Sequence, residues 1–283
     1  GDVYKRQYHN VTMTNFFLSE YFLFRLASIL SLLPVIFYSI KLVNRDVKYT
    51  ALLFVALFGL IALTVSKLSN NYLVSFNVSL LIIASLTTLL FIITSFLVKD
   101  CWRISSLLMP YILVLTTIAA FTEDRTGGAM ASSSIPGSWL AVHVTVSLFS
   151  YSFLTLAAVS GTSVFFRENA IKIKKRTGFF KHLPSIVDGE RIEVLFLMIA
   201  FGCLALALLT GMSLEYYESG KIFALNHKSL FSYFTFLLIA ALFAYRKWKG
   251  TRGKRAARIV LLSYLLLTLA YPGVKFVQFI LIT

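Results

Sequence analysis

Residues 138–166 read SWLAVHVTVSLFSYSFLTLAAVSGTSVFF, and this stretch decides the class of fold. It runs for 29 residues without an Asp, Glu, Lys or Arg. A helix needs about 20 predominantly apolar residues to cross the hydrocarbon core of a bilayer. The stretch is longer than an ordinary strand and long enough to cross a membrane, so it predicts a transmembrane helix.

Apolar runs of similar length lie on both sides of this stretch. The chain of 283 residues is 58% hydrophobic and 14% charged, with a mean hydropathy of +0.80. Soluble domains average about 45–50% apolar and about 25% charged residues. No ten-residue segments alternate in hydrophobicity as the strands of a membrane barrel would. We predict an all-α polytopic membrane protein of about eight transmembrane helices, at residues 20–42, 50–68, 73–98, 104–122, 138–166, 193–215, 229–245 and 259–281.

The basic residues predict the orientation of these helices. The net charge is +15, and 19 of the 27 Lys and Arg residues lie in the connections that follow the first, third, fifth and seventh helices. Lys and Arg are concentrated in the cytoplasmic connections of membrane proteins. We therefore expect these connections in the cytoplasm and both termini outside it, in a bacterial cytoplasmic (inner) membrane. Because the basic clusters flank apolar helices, we expect them to contact membrane lipid and not nucleic acid.

The apolar runs and the connections between them divide the chain into four segments. Residues 1–17 form an N-terminal tail, and we expect residues 1–7 (GDVYKRQ) to be an artefact because they resemble a translated sequencing adapter. Residues 18–122 form an N-terminal half of four membrane helices. Residues 123–137 form an external loop rich in Gly and Ser. Residues 138–283 form a second half of four membrane helices.

Two kinds of chemistry are disfavoured by the residues that the chain lacks. Cys101 and Cys203 form no CxxC or CxxCH motif, so the sequence has no site for covalent c-type haem. No acidic residue lies in the interior of a predicted span, which disfavours a proton-coupled or ion-coupled transporter. We find no nucleophile triad and assign no catalytic residue.

Two histidines are candidate ligands for a metal centre. His143 lies about five residues into the fifth helix, and His227 immediately precedes the seventh. Both helices enter the membrane from the predicted outer side, so both imidazoles lie at one membrane face. Neutral imidazoles are common axial ligands of haem iron. The alternatives are two interfacial histidines, or zinc, which is less favoured because no further ligand completes a tetrahedral set.

Four other residues are candidates for holding a flat anionic ring beside these histidines. Trp139 precedes His143 by one helical turn and would supply an aromatic wall, although tryptophan is also common in the interfacial belt of membrane proteins. Arg25, Lys228 and Lys275 are cations at the predicted outer level of helices one, seven and eight. They would pair with the two propionates of haem, or extend to the headgroups as long cationic side chains do.

Several segments resemble one known family. Residues 143–151 (HVTVSLFSY) resemble the histidine-led helix of the cytochrome c assembly superfamily, which includes CcsA and CcmC. The YpjD/HemX-like branch of that superfamily is similar at residues 225–230 (LNHKSL), 248–255 (WKGTRGKR) and 267–276 (LTLAYPGVKF), and more loosely at 183–193 (LPSIVDGERIE). The resemblance covers residues 137–281. Residues 18–122 match only in hydropathy.

The resemblance implies a membrane protein that presents haem on the extracytoplasmic side for attachment to apocytochrome c. It implies His143 as an axial ligand and, with no covalent site, non-covalent b-type haem. The chain departs from the full assembly proteins because residues 219–230 lack the tryptophan-rich haem motif, and no histidine follows Lys275 or lies inside helix seven.

We therefore expect a haem-binding protein of cytochrome c assembly or haem handling. Its partners would be haem, membrane lipid and apocytochrome c or other assembly proteins. One alternative is a haem-free scaffold or regulator of tetrapyrrole or membrane-protein biogenesis, since HemX-like relatives influence tetrapyrrole synthesis. A haem lyase is disfavoured, because the tryptophan motif is absent.

Overall fold

The computed structural model describes residues 20–41, 45–70, 76–122, 137–174, 179–220 and 227–273. These residues form helices joined by short turns, with no strand among them. The predicted all-α class is therefore confirmed. The helices in chain order are α1 (Glu20–Leu30), α2 (Leu33–Lys41), α3 (Val47–Asn70), α4 (Phe76–Leu97), α5 (Ser105–Phe121), α6 (Gly137–Lys172), α7 (Phe179–His182), α8 (Ile186–Ser219), α9 (His227–Lys249) and α10 (Lys254–Thr268), and a π-helical turn at Leu269–Gly273 follows α10.

Seven candidate membrane spans lie within the described ranges. The first joins α1 and α2 across a turn at residues 31–32, where Pro34 lacks the backbone N–H that would continue one helix. The predicted eighth run, 259–281, corresponds to α10 and the turn after it, and residues 274–283 lie outside the described residues. The protein is thus a multi-pass membrane protein with seven candidate spans.

The C-terminal half is built around α6 and α8, which run antiparallel. Ser150 on α6 donates a hydrogen bond to the carbonyl oxygen of Ala200 on α8 at 3.2 Å. Glycine allows this close approach, because a Cβ on Gly189 would lie 2.7 Å from Cγ2 of Val164. Helix α10 also packs against α6, where a Cβ on Gly161 would lie 3.4 Å from Cα of Ala257.

Both predicted halves contribute to one apolar core. Helix α4 packs against α6, and buried side chains from α3, α5, α6 and α8 form a continuous cluster. A hydrogen bond between the hydroxyl groups of Tyr111 on α5 and Tyr264 on α10 crosses the same boundary. Within the second half, Tyr151 of α6 bonds Tyr264 at 3.2 Å and Thr268 at 3.0 Å, which extends this network. The halves are therefore connected by hydrogen bonds as well as by apolar packing.

Candidate haem-ligand site

His143 lies in the second turn of α6, against the C-terminal part of α8. Its Nδ1 atom lies 3.0 Å from Oγ1 of Thr210, and the ring is half-buried. Thr210 in turn donates to the carbonyl oxygen of Leu206, one helical turn earlier, at 2.9 Å. The carbonyl oxygen of Ala207 on α8 also lies within hydrogen-bonding reach of the imidazole. Nε2 is the ring nitrogen on the opposite side from the Nδ1–Thr210 contact.

Gly211 provides the surface on which the imidazole ring rests. A Cβ at this position would lie 3.0 Å from Cε1 of His143 and 3.5 Å from its Nδ1 atom. Ordinary carbon–carbon contacts are about 3.5–4.0 Å, so any side chain larger than hydrogen would displace the ring. Neighbouring residues on one helix thus hold the imidazole, Thr210 through a hydrogen bond and Gly211 through close contact.

Trp139 lies one helical turn before His143 on α6. Its side chain is 45% exposed. The indole is therefore free to contact lipid or a bound ring, and this placement is compatible with both alternatives raised by the sequence.

The other predicted site residues are placed only in part. Arg25 lies on α1 and is half-buried. His227 and Lys228 open α9, but their side chains lie outside the described residues, as does Lys275 altogether. The structure therefore brings His143 together with Thr210 and Gly211, and the pairing of His143 with His227 stays a prediction.

A buried acidic residue was missed by the sequence analysis. Glu193 on α8 is fully buried, and its Oε1 atom accepts a hydrogen bond from Nη2 of Arg246, near the end of α9, at 2.5 Å. Its Oε2 atom has no hydrogen-bond partner among the residues that the structure describes. The sequence analysis made Glu193 the first residue of a predicted span, whereas the helix of the structure, α8, begins at Ile186, two turns earlier.

The spacing of residues along α8 contained a signal for this site. Gly189, Glu193, Phe196 and Ala200 follow one another at three-residue and four-residue steps, and all four are buried. Residues with this spacing share one face of a helix. A glutamate on an otherwise apolar face predicts a buried carboxyl group, which requires a cationic partner on a neighbouring helix.

Two further glutamates hold the start of α10 near this ion pair. Glu168 of α6 accepts a hydrogen bond from the backbone N–H of Lys254 at 2.8 Å, and Glu190 of α8 accepts one from the N–H of Gly253. Gly253 has φ of 63° and ψ of −141°, a conformation open almost only to glycine. The carboxylates satisfy N–H groups that a helix start leaves without partners, and they lie at the positive end of its dipole.

The histidine site lies near the start of α6, and the ion pair lies about two-thirds of the way along this helix. Glu193 lies beside Gly161, whose Cβ would be 3.3 Å from Oε2. From His143 to Gly161 the helix rises about 27 Å at 1.5 Å per residue. This span is close to the roughly 30 Å thickness of a hydrocarbon core. The two polar sites are therefore spaced as two membrane interfaces are.

The donor set also limits the metal chemistry. No group of three or more His, Cys, Asp or Glu side chains that would hold a metal ion occurs within the described ranges. A site built on His143 alone suits a metal that brings most of its own ligands. The four porphyrin nitrogens of haem leave only axial positions for the protein to fill.

A family model matches most of the chain. The family described as Cytochrome C assembly protein matches residues 46–282. All the segments that carried the resemblance lie inside this range, and the match extends through α3, α4 and α5, where only hydropathy had agreed. The resemblance inferred from the sequence is confirmed.

Three relatives illustrate the breadth of the similarity. An uncharacterized 28.8 kDa protein from Azospirillum brasilense is 32% identical over 271 residues, which cover 94% of this chain and 100% of the relative. Inner membrane protein YpjD of Escherichia coli K12 is 26% identical over 207 residues, or 71% of this chain and 75% of that protein. Cytochrome c biogenesis protein CcsA of Prochlorococcus marinus is 26% identical over 194 residues, or 61% and 63%. No solved structure matches the chain.

Proposed function

Since the chain belongs to the cytochrome c assembly protein family, we propose that it binds haem non-covalently on the extracytoplasmic side of a bacterial cytoplasmic membrane and takes part in cytochrome c assembly. The observation that carries this proposal is the hydrogen bonding of the His143 imidazole. Its Nδ1 atom is hydrogen-bonded to Thr210 on a neighbouring helix, which leaves Nε2 on the opposite side of the ring from that contact. An imidazole oriented on one side and open on the other is the usual arrangement of a histidine metal ligand.

Haem is the cargo in this proposal, and its iron supplies a coordination position that an imidazole fills. His143 would be one axial ligand and His227, at the start of α9, the other. Trp139 would contact the porphyrin face, and Arg25, Lys228 and Lys275 would pair with the propionates. The chain has no CxxCH motif, so the haem would be b-type and held without a covalent bond.

The side of the membrane follows from the distribution of charge. Lys and Arg concentrate in the connections after α2, α4, α6 and α9. The positive-inside rule places those connections in the cytoplasm. His143 then lies at the outer face, together with both chain termini and the external loop at residues 123–137. The predicted total of eight helices requires residues 259–281 to form the last span. Apocytochrome c and other assembly proteins would meet the haem at this outer face, while lipid surrounds the helices.

A haem-free scaffold or regulator is the second candidate function. Residues 219–230 contain no tryptophan, whereas the family's haem lyases carry a tryptophan-rich external motif near that position. Inner membrane protein YpjD, whose name refers to no haem chemistry, is similar to this chain over 75% of its length. Because the tryptophan motif is absent, we do not propose a lyase activity.

Absorption spectra of the purified protein separate these functions. We expect a Soret band after expression with a supply of haem, and we expect His143→Ala to abolish most of it. His227→Ala should weaken or shift the band, with Met212 near the same end of α8 as a substitute ligand. Lys275→Met should lower haem affinity without changing the spectrum, because it removes a propionate contact and leaves the iron alone.

His182 provides the matched control, because it lies in the connection between α6 and α8, beyond the far ends of both helices. His182→Ala should retain the full Soret band. Normal haem content in a His143→Ala, His227→Ala double variant would refute ligation by this pair and favour the scaffold function.

A further inference from the structure

The Thr210 hydroxyl group has one proton, and its geometry fixes where that proton lies. Oγ1 is 2.9 Å from the carbonyl oxygen of Leu206, 3.1 Å from that of Ala207 and 3.0 Å from Nδ1 of His143. Carbonyl oxygens only accept hydrogen bonds, whereas Nδ1 of an imidazole donates or accepts according to its tautomer. The hydroxyl therefore satisfies all these contacts only when it donates to the carbonyls of its own helix and accepts from Nδ1.

The other tautomer of His143, with its proton on Nε2, forms one hydrogen bond fewer. If Nδ1 carried a lone pair, the Thr210 proton would point at it and the contacts to the carbonyls would no longer be hydrogen bonds. The imidazole proton would then lie on Nε2, away from the Thr210 oxygen. The structure thus favours the tautomer with the proton on Nδ1.

We propose that Thr210 is a positioning residue, which holds His143 in the Nδ1–H tautomer and thereby presents the Nε2 lone pair to the haem iron. This inference rests on the proposed function for the haem step, although the tautomer itself exists without haem. Back-bonding to the preceding turn of the helix orients the hydroxyl, and Gly211 keeps the ring close to α8. The chain thereby sets which imidazole nitrogen is the ligand before haem arrives.

Nitrogen NMR of the haem-free protein tests the tautomer directly. Protein labelled with [¹⁵N]histidine is purified in detergent micelles, and the His143 signals are identified by their loss in His143→Ala. We expect the wild type and Thr210→Ser, which keeps a hydroxyl, to show the Nδ1–H tautomer. Thr210→Val, which keeps the shape and loses the hydroxyl, should shift the population towards Nε2–H. An Nε2–H tautomer in the wild type would overturn the inference, whether or not Thr210→Val folds.

Haem titration of the same variants measures the consequence. Loss of a group that orients a ligating histidine typically lowers metal affinity about 10-fold to 100-fold. We expect a loss of this size for Thr210→Val and wild-type affinity for Thr210→Ser. If His143→Ala loses haem while Thr210→Val keeps wild-type affinity and tautomer, the role of Thr210 is refuted and the proposed function stands. If His143→Ala keeps its haem and the wild-type tautomer is Nδ1–H, the proposed function fails instead.

Discussion

Replacing Gly211 with Ala tests whether the imidazole of His143 rests on α8 as the structure has it. The added methyl group would lie 3.0 Å from Cε1 of His143, about 0.5–1.0 Å inside an ordinary carbon–carbon contact. The ring is tied to the adjacent residue, Thr210, by a bond of 3.0 Å, so it moves away only by lengthening that bond. The expected cost is that of one hydrogen bond, about 0.5–1.5 kcal/mol.

Gly202 on the same helix supplies the control, because its Cβ would meet nothing within 4 Å. Alanine stabilises a helix interior by about 0.8–1.0 kcal/mol relative to glycine. Gly202→Ala should therefore raise the free energy of unfolding by roughly this amount. In Gly211→Ala the same gain is offset by the strained contact, so the two variants should differ by about 1 kcal/mol.

The assay is unfolding of the haem-free protein in mixed micelles by titration with a denaturing detergent, followed by haem titration of each variant. Gly211→Ala should bind haem more weakly than the wild type, while Gly202→Ala should bind it equally well. Equal stabilisation by both substitutions, with unchanged haem affinity, would refute the contact between the ring and α8.

Three further predictions concern other parts of the molecule. Glu193→Ala leaves the guanidinium of Arg246 without its buried partner and should destabilise the protein by about 3 kcal/mol or more in the same unfolding assay. The double variant Glu193→Leu, Arg246→Met should recover most of that loss. A Glu193→Ala variant as stable as the wild type would contradict the buried ion pair. Tyr264→Phe removes the hydroxyl that joins α5 to α6 and should cost about 1–3 kcal/mol, because buried hydroxyls lose their partner. A change within roughly 0.5 kcal/mol, which is the scatter of surface substitutions, would show that the network contributes nothing. A reporter active only in the cytoplasm should give signal when fused near Lys249 and none when fused at Thr283. The reverse pattern would show that the topology is inverted and that His143 lies at the cytoplasmic face.

Hydropathy predicted the helices well and their ends poorly. The run at residues 138–166 became Gly137–Lys172, and the run at 193–215 became Ile186–Ser219. Both runs stopped at charged residues, yet charge ends the apolar segment without ending the helix. The start of α8 is set instead by Ser185, whose hydroxyl oxygen accepts from the N–H of Asp188 at 3.1 Å.

The two polar sites show what the sequence alone conveys. His143 could be found because its residue type and its depth in a helix are both visible in the sequence. Thr210 lies 67 residues further along the chain, and nothing local marks it or Gly211 as the neighbours of that ring. Glu193 was missed, because its partner Arg246 is brought beside it only by the antiparallel packing of α8 and α9. Partners that come from different helices are determined by packing, which the period of a single helix does not encode.

The glycines between α6 and its neighbours limit which substitutions the protein tolerates during evolution. Each glycine faces a particular side chain: Gly189 faces Val164, Gly161 faces Glu193, and Gly211 faces His143. An alanine at position 189 is accommodated only after Val164 has become smaller, because its Cβ would lie 2.7 Å from a branched carbon that has little freedom to move. A substitution at position 189 is therefore accepted only in a fixed order, with the side chain at position 164 becoming smaller first.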